Sequence, residues 1–492
     1  MWHRLFTSSA YKRFGEMFVP LTAWFIILLP FALSPFRPAV VAYLIIAFDL
    51  YFLYKSIVTA YYASLSYAQI NFHNTIAYCE KLIQIKKSKK IKHFVIIPNY
   101  KEPLYKLKET IKAIAEADYP FKNISIVLAF ESREAEAKEK EENIRKEFGK
   151  NFEKIFAFHH TLLEGEAPGK ASNQTFAAKS LHKYCIEQGL SSEDIMITVC
   201  DADSLMPKNY FSYLTFEFLN DNDRKTHFYW APVLLYNNFW ELPFFVRMQA
   251  TLSSILRLAF LSQKSNLIHI STYSTNLYLL EKINFWDVDI IPEDWHVYFQ
   301  AFFAFGEKVE TRPLYTIING DAVYSGSFLK TLVNRYEQEK RWAWGVTDIS
   351  YFLNNFFITP HIPLLVKVKK FLYLFETHLL WPTAFFILTV SSFIPALLNP
   401  AFNRTVLGFL LPQLTGFILT LATILLFFYT YLDFRLRHRL NQKTKLIYIP
   451  FLLIQWYFLP VVSFVLSALP ALDAHTRLLL GKKITYKVTE KV

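Results

Sequence analysis

Two long apolar regions bracket a middle in which short hydrophobic stretches alternate with charged ones. Residues 18–33 are apolar and uncharged, and the chain stays uncharged from there through Phe36. That approaches the roughly 20 residues a helix needs to cross a hydrocarbon core of about 30 Å. Residues 39–60 form a second run, broken only by Asp49 and Lys55, and Ser34-Pro35-Phe36-Arg37-Pro38 reads as the turn between them. The first run is long for a signal peptide and lacks a small-x-small cleavage site, so a retained hairpin is expected. Residues 379–398 and 406–431 read as further spans. A last apolar run, 446–469, carries Pro450 and Pro460, with Pro470 just beyond. Prolines break an ideal helix, so a bent, re-entrant or tightly folded segment is expected there. Residues 362–374, with Lys367, Lys369 and Lys370, suit an interfacial helix; residues 240–261 suit a core helix or an interfacial one.

The middle, from His93, alternates strand-length apolar runs with charged helices, the mark of an α/β domain with a mostly parallel sheet. Strands are predicted at 94–97, 124–130, 155–159 and 194–198, and helices at 104–117, 170–187 and 296–305. Residues 131–150 mix acids and bases at i,i+4 spacing, which predicts a water-facing helix without chemistry. Residues 336–344, if helical, bring Gln338, Arg341 and Trp342 onto one face.

Composition follows from this segregation: 492 residues, 53% hydrophobic and 18% aromatic, with a net charge of +12. The basic residues gather beside the apolar runs, as membrane topology requires, which argues against nucleic acid as a partner. Lys81, Lys86, Lys87, Lys89, Lys90 and Lys92 follow the first hairpin, and Arg435, Arg437, Arg439, Lys443 and Lys445 precede the last run. Both clusters put the middle domain on the cytoplasmic side. The first reads equally as a lipid-surface contact or a solvated linker. Cys79, Cys185 and Cys200 have neither CxxC spacing nor an even count, and are read as reduced, non-ligand thiols.

Candidate chemistry sits at the carboxyl ends of the predicted strands, where open α/β sheets bind ligands. Asp201 and Asp203 stand two apart after the fourth strand, and in extended chain both point to one side. A pair of carboxylates suits Mg²⁺ or Mn²⁺, which completes its shell with phosphate oxygens; alone, the pair fits a solvated turn as well. Lys170 opens a helix whose N-terminus favours phosphate. Asp294 lies at a helix N-terminus, as a general base or a simple cap. Neither GxGxxG nor GKS/GKT occurs, so neither a Rossmann site nor a P-loop is indicated.

Ile97-Pro98-Asn99-Tyr100-Lys101-Glu102, Gly169-Lys170, Asp201-Ala202-Asp203, Glu293-Asp294-Trp295 and Gln338-Glu339-Lys340-Arg341-Trp342 occur in this order. Together they resemble the membrane-integrated family 2 glycosyltransferases, the group of cellulose and hyaluronan synthases, and the last is that family's QxxRW without substitution. Tyr486-Lys487-Val488-Thr489-Glu490-Lys491 resembles the FxVTxK gating loop of cellulose synthases, with Tyr486, Val488, Thr489 and Lys491 in the motif positions. Two departures stand out. Phe130-Glu131 replaces the usual Asp pair, and Pro292 the usual Thr.

The resemblance implies a GT-A α/β domain inserted between transmembrane helices. Its boundaries are a transmembrane hairpin 1–62, a basic linker 63–92, a cytoplasmic domain 93–350, an interfacial region 351–377, transmembrane segments 378–472 and a cytoplasmic tail 473–492. It further implies a nucleotide-diphospho-sugar bound by Pro98, Asn99, Tyr100, Glu102, Glu131, Lys170 and Asp201, and a metal on Asp203 with Asp201. Asp294 and Arg341 become catalytic, and Glu293, Trp295, Gln338 and Trp342 bind the acceptor. The expected reaction is inverting transfer to a polysaccharide or lipid-linked acceptor at a bacterial-type plasma membrane. The alternatives are single transfer to a polyprenyl-phosphate-type lipid carrier and, in a different class, a non-enzymatic transporter or scaffold.

Overall fold

The computed structural model describes residues 8–438 and 449–484. Two helices, α1 (Ser9–Leu33) and α2 (Pro38–His73), begin it, joined by a turn in which the Arg37 N–H donates to the Leu33 carbonyl at 2.8 Å. α2 runs well past the apolar stretch. Its extension buries Ala63, Ser66 and Ile70, and the Ser66 hydroxyl meets that of Ser262 at 2.7 Å. A short basic 3₁₀ segment, Lys86–Lys90, then leads into the sheet.

The α/β domain alternates as the pattern predicts: β1 (Lys92–Asn99), α3 (Leu104–Ala115), β2 (Ile124–Glu131), α4 (Ala137–Phe148), β3 (Lys154–His160), α5 (Lys170–Glu187) and β4 (Ile195–Val199). β1 to β4 are parallel, with β1 between β2 and β4 and β3 outside β2. After α6 (Tyr210–Asn220) come β5 (Phe228–Trp230) and β6 (Val233–Leu234), then α7 (Phe244–Ser262) and β7 (Tyr273–Asn276). β7 pairs antiparallel with both β4 and β5, so the sheet is mixed beyond the fourth strand. The helix α8 (Glu293–Phe305) precedes β8 (Thr311–Pro313), which closes the seven-stranded sheet on β5, and β9 (Ile318–Asn319), which pairs with β6. The core is built from the fully buried runs 94–97, 126–130 and 195–199. These are apolar, β-branched stretches covered by helices on both faces, as parallel sheets require.

Beyond the sheet lie α9 (Phe328–Ala343), α10 (Thr347–Phe356), α11 (Leu364–Phe385), α12 (Val406–His438) and α13 (Leu469–Leu479). Among the described residues, six helical stretches are long and apolar enough to cross a membrane: Ser9–Leu33, Pro38–His73, Phe244–Ser262, Leu364–Leu398, Val406–Arg437 and Gln455–Leu479. α7 is among them by composition, yet twelve of its side chains are buried, so it serves as a core helix beneath the domain. α11 is one helix from Leu364, with no break between the expected interfacial and transmembrane parts.

The last run is bent. It passes through 3₁₀ turns at Gln455–Phe458 and a π turn at Phe464–Ala468 before α13. Along its length it meets α7 and α9. Phe458 packs on Phe244 at 5.5 Å, Gln249 donates to the Leu466 carbonyl, and Lys340 pairs with Asp473 at 3.3 Å. The carbonyl of Leu478 accepts from Arg13 at 2.7 Å, so the run ends beside the start of α1.

α1 is held against α10 by a close crossing. A Cβ on Gly15 would stand 2.8 Å from the Cα of Ser350, whose hydroxyl donates to the Lys12 carbonyl at 2.7 Å. Gly15→Leu therefore separates these helices and lowers the melting temperature, whereas Gly416→Leu, which meets nothing within 4 Å, leaves it unchanged.

Candidate active site

β4 stops at Val199, so the strand alternation that predicts Asp201 and Asp203 on one side ends before them. The chain turns instead, with the Ser204 N–H on the Asp201 carbonyl at 3.0 Å. Thr110 of α3 holds the Ala202 carbonyl at 2.7 Å, and the Thr272 hydroxyl accepts from the Asp201 N–H at 3.1 Å. The two carboxylates consequently reach different partners. Asp203 accepts the Asp321 N–H at 3.2 Å, and Asp321 in turn pairs with Lys106 at 2.7 Å. Asp201 turns towards Lys170.

Lys170 is the first residue of α5, after Gly169, whose φ of +136° is a conformation that side chains disfavour. Its ammonium is the point on which three carboxylates converge: Glu293 at 2.8 Å, Asp201 at 3.0 Å and Asp294 at 3.3 Å. The Ser271 carbonyl adds a fourth contact at 3.1 Å. α8 begins at Glu293, three residues earlier than the apolar pattern predicts, so Glu293 and Asp294 occupy its first turn. That is where the helix dipole favours anions.

Charge is crowded here. Burial and the carboxylates of Glu293 and Asp201 push Asp294 well above the usual carboxylate range, against the pull of Lys170. Lys170 is held well above its ordinary value: burial opposes its charge, but Asp201, Asp294 and Glu293 outweigh it. His269, packed between Phe228 at 4.3 Å and Tyr273 at 4.0 Å, is pushed down by burial and by Lys170, and stays neutral. Below the cluster, His296 is gripped by Asp348 at 2.7 Å and Asp287 at 2.9 Å. Burial opposes its charge, yet the two carboxylates raise it to about 9, so it anchors α8 as a cation.

The residues expected on the nucleotide line the ends of β1 and β2. Asn99 pairs with Phe130 across the strands, is 2% exposed and leaves its amide nitrogen without a partner, an unspent donor at the carboxyl end of β1. Pro98 is half-buried within β1. The Glu102 N–H reaches the Asn99 side chain at 3.3 Å, and its carbonyl accepts from Lys140. Glu131 is buried and engaged by Arg133, whose guanidinium also lies 5.3 Å over the Tyr100 ring.

On α9 the site differs from the expected face. Arg335, which the motif does not include, is the buried guanidinium: it donates to Gln338, Glu339 and Gln249 and lies 4.8 Å over Trp342. Positions 335, 338, 339 and 342 follow i, i+3, i+4, i+7 spacing, so this stripe was available in the sequence. Arg341 is half-buried beside it. The Arg257 guanidinium of α7 also lies over the Trp342 ring, at 5.7 Å. Arg335→Met removes the guanidinium paired with buried Glu339, leaving it the Gln249 amide at 2.7 Å, and should cost about 3–5 kcal/mol, read as a fall in melting temperature.

Trp295 does not join the cluster. It stacks on Tyr373 at 5.9 Å and meets His378 edge-on at 6.2 Å, both on α11, and so ties the first turn of α8 to a helix of membrane-crossing length. Tyr486, Val488, Thr489 and Lys491 lie outside the described residues.

Among the described residues, no three His, Cys, Asp or Glu side chains form a metal cage. Asp203 and Asp201 offer carboxylate oxygens only. That donor set fits a hard divalent cation that keeps water and takes phosphate oxygens from its substrate.

A mixed sheet whose strand ends carry an acidic turn, a lysine and a helix-borne carboxylate is the GT-A arrangement, here flanked by long apolar helices. Residues 196–433 match the family described as Glycosyl transferase family group 2, and the chain is a glycosyltransferase. No curated protein matches the chain. Among solved structures it is similar to a mannosyltransferase of Pyrobaculum calidifontis in complex with GDP-Man and Mn²⁺, at 14% identity and TM-score 0.43, covering 86% of this chain and 100% of that one. It is also similar to S. aureus TarS 1-349 with UDP-GlcNAc, at 11% identity and TM-score 0.37 over 72% and 93% of the two chains. GalNAc-T7 with UDP, GalNAc and Mn²⁺ matches at 13% identity and TM-score 0.35 over 60% and 59%. These likenesses are distant.

Proposed function

We propose that the protein is an inverting, metal-dependent glycosyltransferase that moves a sugar from a nucleotide-diphospho-sugar to a polysaccharide or lipid-linked acceptor at a membrane. The observation that carries this reading is the convergence of Asp201, Glu293 and Asp294 on Lys170, beside Asp203. One ammonium against three carboxylates leaves negative charge that a cation and a proton can satisfy. Asp294, held high by burial and its neighbours, is suited to accept a proton.

In the proposed reaction an acceptor hydroxyl gives its proton to a carboxylate oxygen of Asp294. Its oxygen forms the new bond to the anomeric carbon as the bond to the diphosphate breaks, with inversion. Lys170 and Arg341 offer positive charge to the departing diphosphate. Asn99, Tyr100, Glu102 and Glu131 flank the nucleotide, and Gln338 and Trp342 the acceptor, with Arg335 and Arg257 fixing the indole. A divalent cation on Asp203, with Asp201, would neutralise diphosphate charge when bound. The catalytic domain, residues 93–350, is assigned to the cytoplasmic side because the basic clusters lie at that end of the spans.

Purified protein in detergent, offered a panel of nucleotide sugars with Mg²⁺ or Mn²⁺, tests the reading. Transfer should vanish with a chelator, return on adding either metal, and be lost in Asp203→Asn. Metal-independent transfer would refute the cation's role. The chain-length distribution of the product separates polymer extension from single transfer to a lipid carrier.

A further inference from the structure

Ser271 is a non-glycine residue at φ +71°, in the loop before β7. An L-residue pays on the order of 1–2 kcal/mol for that conformation, and such strain persists only where the surroundings fix it. Three groups fix it here. Its N–H donates to Asp294 Oδ2 at 2.7 Å, its carbonyl accepts from Lys170 Nζ at 3.1 Å, and its hydroxyl donates to Asp201 Oδ2. Asp294 Oδ1 and Asp201 Oδ1 both face Lys170, so each carboxylate is clamped between the lysine and this one residue.

Resting on the reading above, we propose that Ser271 is a positioning residue that couples the donor-side carboxylate Asp201 to the acceptor-side base Asp294. At φ +71° the N–H, the carbonyl and the hydroxyl of this one residue all meet the same cluster. The neighbouring Thr272 hydroxyl holds the backbone of Asp201 at 3.1 Å and the Ser204 hydroxyl at 2.9 Å, so the acidic turn and this loop move as one body. The hydroxyl thus orients Asp201 for the nucleotide diphosphate, while the N–H fixes the oxygen of Asp294 that faces away from Lys170.

The two contacts separate experimentally. Ser271→Ala deletes the bond to Asp201 and keeps the N–H on Asp294. The probes are UDP and GDP with Mn²⁺, binding being measured by calorimetry on the full chain in detergent. Ser271→Ala should weaken the bound nucleotide on the order of tenfold, as expected for one hydrogen bond to a charged group. In a double-mutant cycle with Asp201→Asn this loss should disappear, and in a cycle with Asp294→Asn it should persist. Where Ala fails to fold at this strained position, Ser271→Gly also lacks the hydroxyl, adopts the conformation freely and is expected to give the same loss and the same coupling. A merely structural serine would lower the melting temperature without coupling selectively to Asp201. Nucleotide affinity within twofold of wild type, or equal coupling to both carboxylates, overturns the proposal. If the wild-type chain binds neither nucleotide, the functional reading itself fails, and this inference with it.

Discussion

Asp294→Asn should leave nucleotide binding within a few-fold of wild type and lower sugar transfer by about 10²–10⁴-fold, the usual contribution of a general base. Asparagine keeps the size of the side chain and can still meet the Ser271 N–H, so the loop before β7 stays in place. What it loses is the capacity to take a proton. Lys170 keeps its pairs with Asp201 and Glu293, so the donor half of the site is left intact. Turnover and nucleotide affinity measured on the same preparation decide the matter. A variant that transfers at near-normal rate removes Asp294 from the chemistry, and one that no longer binds nucleotide makes it a structural ligand instead.

Much of the scaffold was legible because it rests on local patterns. Residues 94–97, 124–130 and 194–198 are dominated by apolar and β-branched residues, and all of them but Asp194 form the buried centre of the sheet. Asp294 beside a predicted helix start does lie at an N-terminus, although the helix begins earlier and takes in Glu293. The antiparallel β7 was not anticipated. Tyr273-Ser274-Thr275-Asn276 has little apolar character, yet all four residues are buried because the strand sits between β4 and β5.

The site itself divides in the same way. Lys170, Asp201, Glu293 and Asp294 are named by motifs and come together in space. Ser271 carries no signal, because a serine in a left-handed conformation is imposed by tertiary contacts rather than by its neighbours in sequence. Arg335 is a different kind of omission: its helical spacing to Gln338, Glu339 and Trp342 was readable, but the more familiar Arg341 stood next to the tryptophan. Trp295 enters the expected site only by its place in the motif after Glu293-Asp294. Helical geometry turns it about 100° from its neighbour, towards α11.

Lys170→Met should lower the stability of the protein by about 3–5 kcal/mol, because it removes the cation shared by three carboxylates that are mostly shielded from water. The loss should depend on pH with a defined sign. Without the ammonium, the pull that holds Asp294 down is gone, while burial, Glu293 and Asp201 continue to push it up. The folded protein then binds more protons than the unfolded chain above the ordinary carboxylate range, so its stability falls as pH rises. The variant should melt at a higher temperature near pH 5.5 than near pH 8. Glu293→Gln acts in the opposite direction on the same group: it removes repulsion, lowers the Asp294 proton affinity and moves the acid limb of kcat/KM to lower pH. Opposite shifts from a lysine and a glutamate on one carboxylate would not arise from general loosening of the fold, which moves both variants alike. Thermal melts of Lys170→Met at the two pH values and a pH–rate profile of Glu293→Gln therefore test the cluster as an electrostatic unit. A flat pH response in the first, or an unmoved acid limb in the second, would show that Asp294 does not sense these neighbours.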